Sequence, residues 1–418
     1  MSLSKFVTAG IIAVLLASSV GAQEASYHYS GDLRLSPDTG RLALDWTLNV
    51  HEDALTEVSF LLNVALEAEI SGPDVLSVES KISEGFGGPI RRYTIALAPS
   101  EAGADRQISM RYAGQLFPDP LDVPINTLDA DKIELTVDSF WMPFDERFNA
   151  LITAELDVWL PGDWQGVATQ SISRTAGGFR IEQASPTLDL AFTLMSDFEL
   201  TQAPGYAIYD TRDPAGTNLD ALTDSLDHCT RYLNGLAGHA GPLPEARIVV
   251  TRRNSGGYSR GTLIALTDIA ETEAAPLTQF ICHELGHYWS YGNAMTVENW
   301  LNESFADYVA IMGMRDALGE DVFEARLARY RQQLEDGPST LPPVWTPQTT
   351  ARPPYLVAYR QGPLVLAEME ASIGRVSFAR FMRRYMQSTV RTTPQMLDVF
   401  EAEAGAGARA QFESLLAD

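Results

Sequence analysis

Two histidines one helical turn apart, with a glutamate beside the first, are the residues of this chain best placed to do chemistry: His283-Glu284-Leu285-Gly286-His287. The apolar residues Leu277, Phe280, Ile281, Leu285 and Trp289 predict a helix there. On a helix, positions i and i+4 share a face, so the two imidazoles can grip one divalent ion. Glu284 projects from the same turn beside that face. A carboxylate there can take a proton from a metal-activated water without coordinating the metal itself. Zinc suits the pattern because it brings the pKa of a bound water close to neutrality, and H-E-x-x-H on a helix is the spacing that this chemistry requires. One Zn2+ per chain is expected.

A catalytic zinc takes three protein ligands and keeps a fourth position open. The metzincin arrangement needs Gly at 290 and His at 293, where this chain has Ser290 and Asn293. Of the six histidines, His228 and His239 precede the motif, while His28 and His51 lie far upstream. Glu303 is therefore read as the third ligand. It stands in Trp300-Leu301-Asn302-Glu303-Ser304-Phe305-Ala306-Asp307, on a helix whose apolar stripe is Leu301, Phe305, Tyr308 and Met312. Asp307, one turn further along the same face, is positioned to hydrogen-bond the outer nitrogen of a ligating imidazole and fix its tautomer.

These residues need a scaffold, and the periodicity of the chain divides it in two. From about 23 to 203, short alternating segments separated by turns predict an antiparallel β domain. Arg41 to Val50 carries a large apolar residue at every second place, after the turn Ser36-Pro37-Asp38-Thr39-Gly40. Similar signals recur at Ile108 to Tyr112, Leu151 to Leu160, Phe179 to Glu182 and Leu188 to Leu200. From 204 to 418 helical periods take over, at Asn218 to Leu236, Leu277 to Tyr291, Trp300 to Ala317, Asp321 to Leu334 and Pro363 to Ile373. Strand-like segments remain at Ala246 to Thr251 and Thr262 to Thr267. The fold class is thus α+β. Pro338 to Pro354, rich in Pro and Thr, is long enough to act as a rim or lid.

Residues 1–22 place Lys5 before the apolar run Ile11 to Leu16 and end on Val20-Gly21-Ala22, the pattern of a cleaved signal peptide. The run is too short to span a bilayer comfortably, and no later stretch could span one. An exported, secreted or periplasmic bacterial protein is expected, without an integral membrane segment. The formal net charge is −25; removing the +1 of Lys5 makes it −26. Such acidity repels a phosphate backbone and argues against nucleic acid as a partner. Cys229 and Cys282 are the two cysteines, and in an oxidising compartment they form either one disulfide or a pair of buried thiols.

The metal segment resembles the aminopeptidase N family of zinc metallopeptidases, which are gluzincins. In that family H-E-x-x-H is followed by a glutamate within W-L-N-E-G-F-A. Trp300-Leu301-Asn302-Glu303-Ser304-Phe305-Ala306 matches, and Gly292-Asn293 and Thr296-Val297-Glu298 echo the family between the two motifs. Fifteen residues separate His287 from Glu303, a shorter spacing than the family's. The resemblance implies an N-terminal antiparallel β domain followed by a thermolysin-like, mainly helical zinc peptidase domain. It also implies a short bacterial member without the family's large C-terminal helical domain. The family's oxyanion-stabilising tyrosine, which stands before a Lys-Gly pair, maps to Tyr359, with Arg360-Gln361-Gly362 following and Tyr355 as the alternative. Members that remove N-terminal residues carry G-x-M-E-N, whose glutamate binds the substrate's amine. The corresponding stretch is Gly256-Gly257-Tyr258-Ser259-Arg260, where Ser259 replaces the acid. Gly256, Gly257 and Arg260 are the expected substrate-binding residues, with an extended substrate against an edge strand.

The expected activity is hydrolysis of peptide bonds in a peptide or protein substrate, with aminopeptidase and endopeptidase action both open. A catalytically idle peptide-binding protein of the same fold and a hydrolase of a non-peptide bond are the rivals. The sequence leaves the oligomeric state open.

Overall fold

The computed structural model describes residues 25–418 apart from 53–54, 86–87, 100–104, 119–123 and 239–241. The expected signal peptide, residues 1–22, lies outside the described residues. The chain divides into two compact units. One runs up to Gln202 and also takes Ala207–Ala215 and Arg247–Asp268; the other comprises Ala203–Tyr206, Gly216–Ala246 and Ile269–Asp418. The sequence places a single boundary at 203/204, but two strand-bearing segments beyond it join the first unit. Strand pairing, which links residues far apart in the chain, cannot be read from local periodicity.

The first unit is built of strands. Its seven-stranded sheet has the order Ser171–Arg174, Gly178–Thr187, Ile152–Trp159, Tyr27–Ser36, Arg41–Val50, Arg106–Gln115, Glu69–Ser71. Arg41–Val50 buries every second side chain, as its alternation predicts, and pairs antiparallel with both neighbours. A four-stranded sheet runs Phe144–Asp145, Glu57–Asn63, Gly88–Leu97, Val75–Gly85, and a second runs Gln165–Ala168, Phe192–Met195, Lys132–Leu135, Thr127–Leu128. Leu44, Trp46 and Leu48 share one apolar core with Phe60, Ile95, Ile133 and Leu194, so all three sheets bury faces together. The signal read at Leu188 to Leu200 resolves into two strands, Phe192–Met195 and Glu199–Ala203. A five-stranded sheet follows, in the order Glu199–Ala203, Tyr206–Asp210, Ala246–Val250, Leu263–Leu266, Tyr258–Arg260.

A buried charge cluster in this unit yields a pH prediction. Glu134 is fully buried, with Arg253 Nη1 at 2.8 Å and Lys132 Nζ at 3.1 Å. Burial pushes its pKa up, but the two cations outweigh burial and hold it down at about 2. A carboxylate whose pKa is depressed by folding stabilises above its unfolded pKa, and the contribution drains away as pH falls from about 4.5 through 2. The loss is on the order of 3 kcal/mol. Urea midpoints measured down that window should fall steeply for the wild type and less steeply for Glu134→Gln.

The second unit is helical: α1 Leu219–Ala237, α2 Ala274–Gly286, α3 Asn299–Leu318, α4 Glu320–Glu335, α5 Gly362–Ile373, α6 Arg375–Met386, α7 Thr393–Ala404 and α8 Ala406–Ala417. From Asn299 to Met314 every residue of α3 is buried, which makes it the central helix of the unit. By contrast, α4 buries only Phe323, Leu327 and Tyr330. An aromatic stack ties the C-terminal helices to α3, with Phe305 on Tyr385 at 4.1 Å between ring centroids and Phe381 on Phe400 at 5.0 Å. Thr393 opens α7 beneath Glu298, whose Oε2 accepts from the Thr393 backbone N–H at 2.8 Å. Cys229 and Cys282 form a disulfide between α1 and α2. The Pro338 to Pro354 segment contains no regular helix or strand. It is anchored by a bridge between Thr296 and Ala351 and by the Trp345 N–H donating to the Leu416 carbonyl at 2.9 Å.

Candidate metal centre

The expected helix from Leu277 to Tyr291 is α-helical only to Gly286; His287–Trp289 tightens into a 3-10 turn. The His287 N–H still donates to the His283 carbonyl, so the one-turn spacing of the two imidazoles survives. Their rings stand nearly perpendicular, 4.6 Å between centroids. Between α2 and α3 the connection is short, and Asn302 fastens it. Its Oδ1 accepts from the Gly292 N–H at 2.8 Å, and its Nδ2 donates to the Gly292 carbonyl at 2.9 Å. That clamp lets the spacing from His287 to Glu303 be short while α3 still presents Glu303 to α2.

Glu303 Oε2 lies 3.7 Å from Nε2 of both His283 and His287. Ligand atoms of these three residues all fall within 4.8 Å of one another. Among the described residues no other such group of His, Cys, Asp or Glu exists. Nε2 of His287 and both carboxylate oxygens of Glu303 are buried without a hydrogen-bond partner. Burying a carboxylate in that way is costly, and a divalent cation among the three side chains answers all of these needs together. Two imidazoles and a carboxylate are also a zinc donor set.

Burial disfavours a charge on His283, but the Asp307 and Glu303 carboxylates beside it prevail and raise its pKa to about 10. Burial and the neighbouring His283 hold His287 down at about 4. Metal-free, the cluster therefore keeps one cationic and one neutral imidazole around the acids.

Asp307 stands 3.7 Å from His283 Nδ1, on the side away from Glu303. Gln279 Nε2 donates to Asp307 Oδ1 at 2.9 Å and the Tyr330 hydroxyl donates to Oδ2 at 2.6 Å. Neither partner figures in the sequence reading. Gln279 lies one turn before His283 on the same face of α2, a signal available in hindsight, whereas Tyr330 arrives from α4 with no local cue. Tyr330→Phe removes one of the two donors fixing Asp307. Zinc affinity should drop about tenfold, the lower end for an outer-shell partner, measured by chelator competition with thermal melting as the folding control.

Tyr359 lies in a π-helical turn, Val357–Gln361, closed by the Gly362 N–H on the Val357 carbonyl. Such turns concentrate at functional sites. Position 362 must be glycine, because a Cβ there would come within 2.0 Å of Ser304 Oγ, which donates to the Ala358 carbonyl at 2.6 Å. The Tyr359 ring stacks on His283 at 5.8 Å. Burial and the Glu303 charge push its pKa well up, so its phenol stays protonated and able to donate. Tyr355, the alternative, stacks behind Tyr359 at 4.8 Å, and its hydroxyl accepts from Arg360. The Arg360 guanidinium in turn lies 4.3 Å from the centre of the Tyr330 ring. Glu284 is buried in the same turn as His283, and its charge is felt at both His283 and Tyr359.

The substrate-binding expectation fares differently. Tyr258–Arg260 is the edge strand of its sheet, and Gly256 and Gly257, both half-buried, lead into it, Gly256 with φ +79°. Arg260 is turned inward and fully buried, with Nε 2.9 Å from Asp189 Oδ2 and Nη2 3.3 Å from Asp138 Oδ2. Its donors are committed to fastening that strand within its own unit. This corrects the reading of Arg260 as a substrate contact.

Residues 259–409 match the description "Peptidase family M1 domain", a stretch that contains all three candidate ligands, Glu284 and Tyr359. Among solved structures, an M1 zinc metallopeptidase from Deinococcus radiodurans superposes with a TM-score of 0.64 at 17% identity, covering 94% of this chain and 95% of that one. A mutant of the Deinococcus radiodurans enzyme bound to a Tyr-Ser-Ala substrate gives 0.60 at 17% identity, covering 93% of both chains. Leukotriene A4 hydrolase from Saccharomyces cerevisiae gives 0.65 at 16% identity over 94% of this chain and 67% of that one. These likenesses establish the fold, and the sequence's α+β expectation agrees with it: a β domain followed by a thermolysin-like helical one. A peptidase family M1 domain thus spans the helices that carry the ligand triad, Glu284 and Tyr359, within a chain whose fold is shared with M1 zinc metallopeptidases.

Proposed function

We propose that this chain is a zinc metallopeptidase of the aminopeptidase N family, hydrolysing peptide bonds with Glu284 as general base and acid and Tyr359 as the oxyanion donor. The observation carrying the reading is the convergence on one buried point of His283, His287 and Glu303, with Glu284 and a protonated Tyr359 beside them. Zinc bound by this triad supplies a Lewis acid that polarises a carbonyl and acidifies a water. Glu284 accepts the proton released by the attacking water and delivers it to the departing amine. The Tyr359 phenol donates to the carbonyl oxygen as negative charge grows there, an interaction that strengthens toward the transition state. The related Deinococcus radiodurans protein holds a tripeptide, which supports a peptide as the substrate class.

Tyr359→Phe tests the donor. Loss of one oxyanion donor should lower kcat by about a hundredfold, with KM and zinc content little changed. An unaltered kcat would remove Tyr359 from the chemistry. Free and N-acetylated forms of one peptide separate the modes of cleavage: acetylation blocks an enzyme that needs a free amine and spares one that cuts internally. The leader-like residues 1–22 and the Cys229–Cys282 disulfide support action in an exported, oxidising compartment such as a bacterial periplasm. Among the described residues no helix is long and apolar enough to cross a membrane.

A further inference from the structure

The strand Val75–Gly85 is the outermost strand of its four-stranded sheet, and among the described residues the one strand it pairs with is Gly88–Leu97. Eleven residues long, it leaves a row of outward backbone N–H and C=O groups on its free side. Eight of its eleven residues are exposed, including Leu76 at 66%, Val78 at 38% and Ile82 at 51%. Val78 and Ile82 belong to the face that turns toward the core, since Val78 stands opposite the buried Ile95 and Ser80, between them in the alternation, opposite the buried Tyr93. On the other face Lys81 stands opposite Arg92 and Glu79 opposite Thr94. Among the described residues neither Lys81 nor Glu79 makes an ion pair.

We propose that two copies of the chain associate through this edge, their Val75–Gly85 strands pairing antiparallel about Ser80. That register sets each Glu79 opposite the other copy's Lys81, each Val78 opposite the other copy's Ile82, and Ser77 opposite Ser83. Two ion pairs and two apolar pairs form, all on matching faces, and the two sheets become one. Moving the centre one residue either way places Glu79 opposite Glu79 or Lys81 opposite Lys81, so charge selects a single register. The charges that ordinarily keep an edge strand from pairing are here arranged to complement their own copy. One strand pair buries less than a standard interface, so association falls roughly in the micromolar range.

Sedimentation velocity of the zinc-loaded chain over a wide concentration range, up to high micromolar, tests the proposal. The wild type should pass from monomer to dimer. Glu79→Lys and Lys81→Glu, which each turn two attractive pairs into repulsive ones, should weaken association by about tenfold. The double exchange Glu79→Lys with Lys81→Glu should restore it. Circular dichroism and peptidase activity should stay at wild-type level throughout, since neither residue belongs to the catalytic machinery. A wild type that remains monomeric, or single exchanges that associate as well as the wild type, would overturn the proposal. So would a double exchange that fails to recover association.

Discussion

Replacing Glu284 by glutamine should leave a protein that binds its zinc and hardly turns over, with kcat down by about 10²- to 10⁴-fold. The amide is nearly isosteric with the carboxylate, and Glu284 is not one of the three converging ligands. The metal site therefore loses no donor. What disappears is the only acidic group in that helical turn able to accept a proton. In the proposed mechanism the same residue returns the proton to the leaving amine, so both halves of the reaction should suffer and KM should move little. Metal content by atomic absorption, measured beside peptide turnover, checks the claim. Full activity with confirmed zinc would end the proposed mechanism.

Glu303→Ala should act on the other side of that divide. It removes the one ligand supplied by α3 and leaves two imidazoles, too few for a catalytic site. Zinc content should fall from near stoichiometric to near zero after dialysis, and activity with it. A second readout is independent of catalysis. Zinc in large excess over its dissociation constant should raise the wild-type melting temperature, since a ligand that binds only the folded state stabilises by roughly 4 kcal/mol at 1,000-fold saturation. The variant should show no such rise. Removing Glu303 also removes a buried carboxylate that has no donor of its own, so the metal-free variant should lose less stability than an ordinary large core truncation.

The parts of this site that could be read from the sequence are those set by short-range geometry. His283, Glu284 and His287 declare themselves because a helix converts spacing directly into a shared face. Glu303 and Asp307 follow by the same rule on the next helix, once a third ligand is demanded. Tyr359 needed the family resemblance, because nothing in Tyr359-Arg360-Gln361-Gly362 announces a π-turn. Tyr330 was invisible, since its link to Asp307 depends on how α4 lies along α3. Arg260 misled for a related reason. An arginine beside a serine in an edge strand looks available, and only the fold shows Asp189 and Asp138 waiting behind it. Strand alternation gave Arg41–Val50 to the residue, yet it could not show that segments 207–215 and 247–268 join the first unit.

The Cys229–Cys282 bridge has a practical consequence. Cys282 immediately precedes the first imidazole, and its sulfur crowds Gly313 on the helix that carries Glu303, so one covalent link sits where three helices meet. With 53 residues of separation, the chain-entropy account credits the link with about 4 kcal/mol. Protein made in a reducing cytoplasm would hold its metal-bearing segment by packing and hydrogen bonds, without the covalent link. Oxidative export hosts are therefore the appropriate source of material, and thiol reagents in a purification buffer would act as a slow route to metal loss.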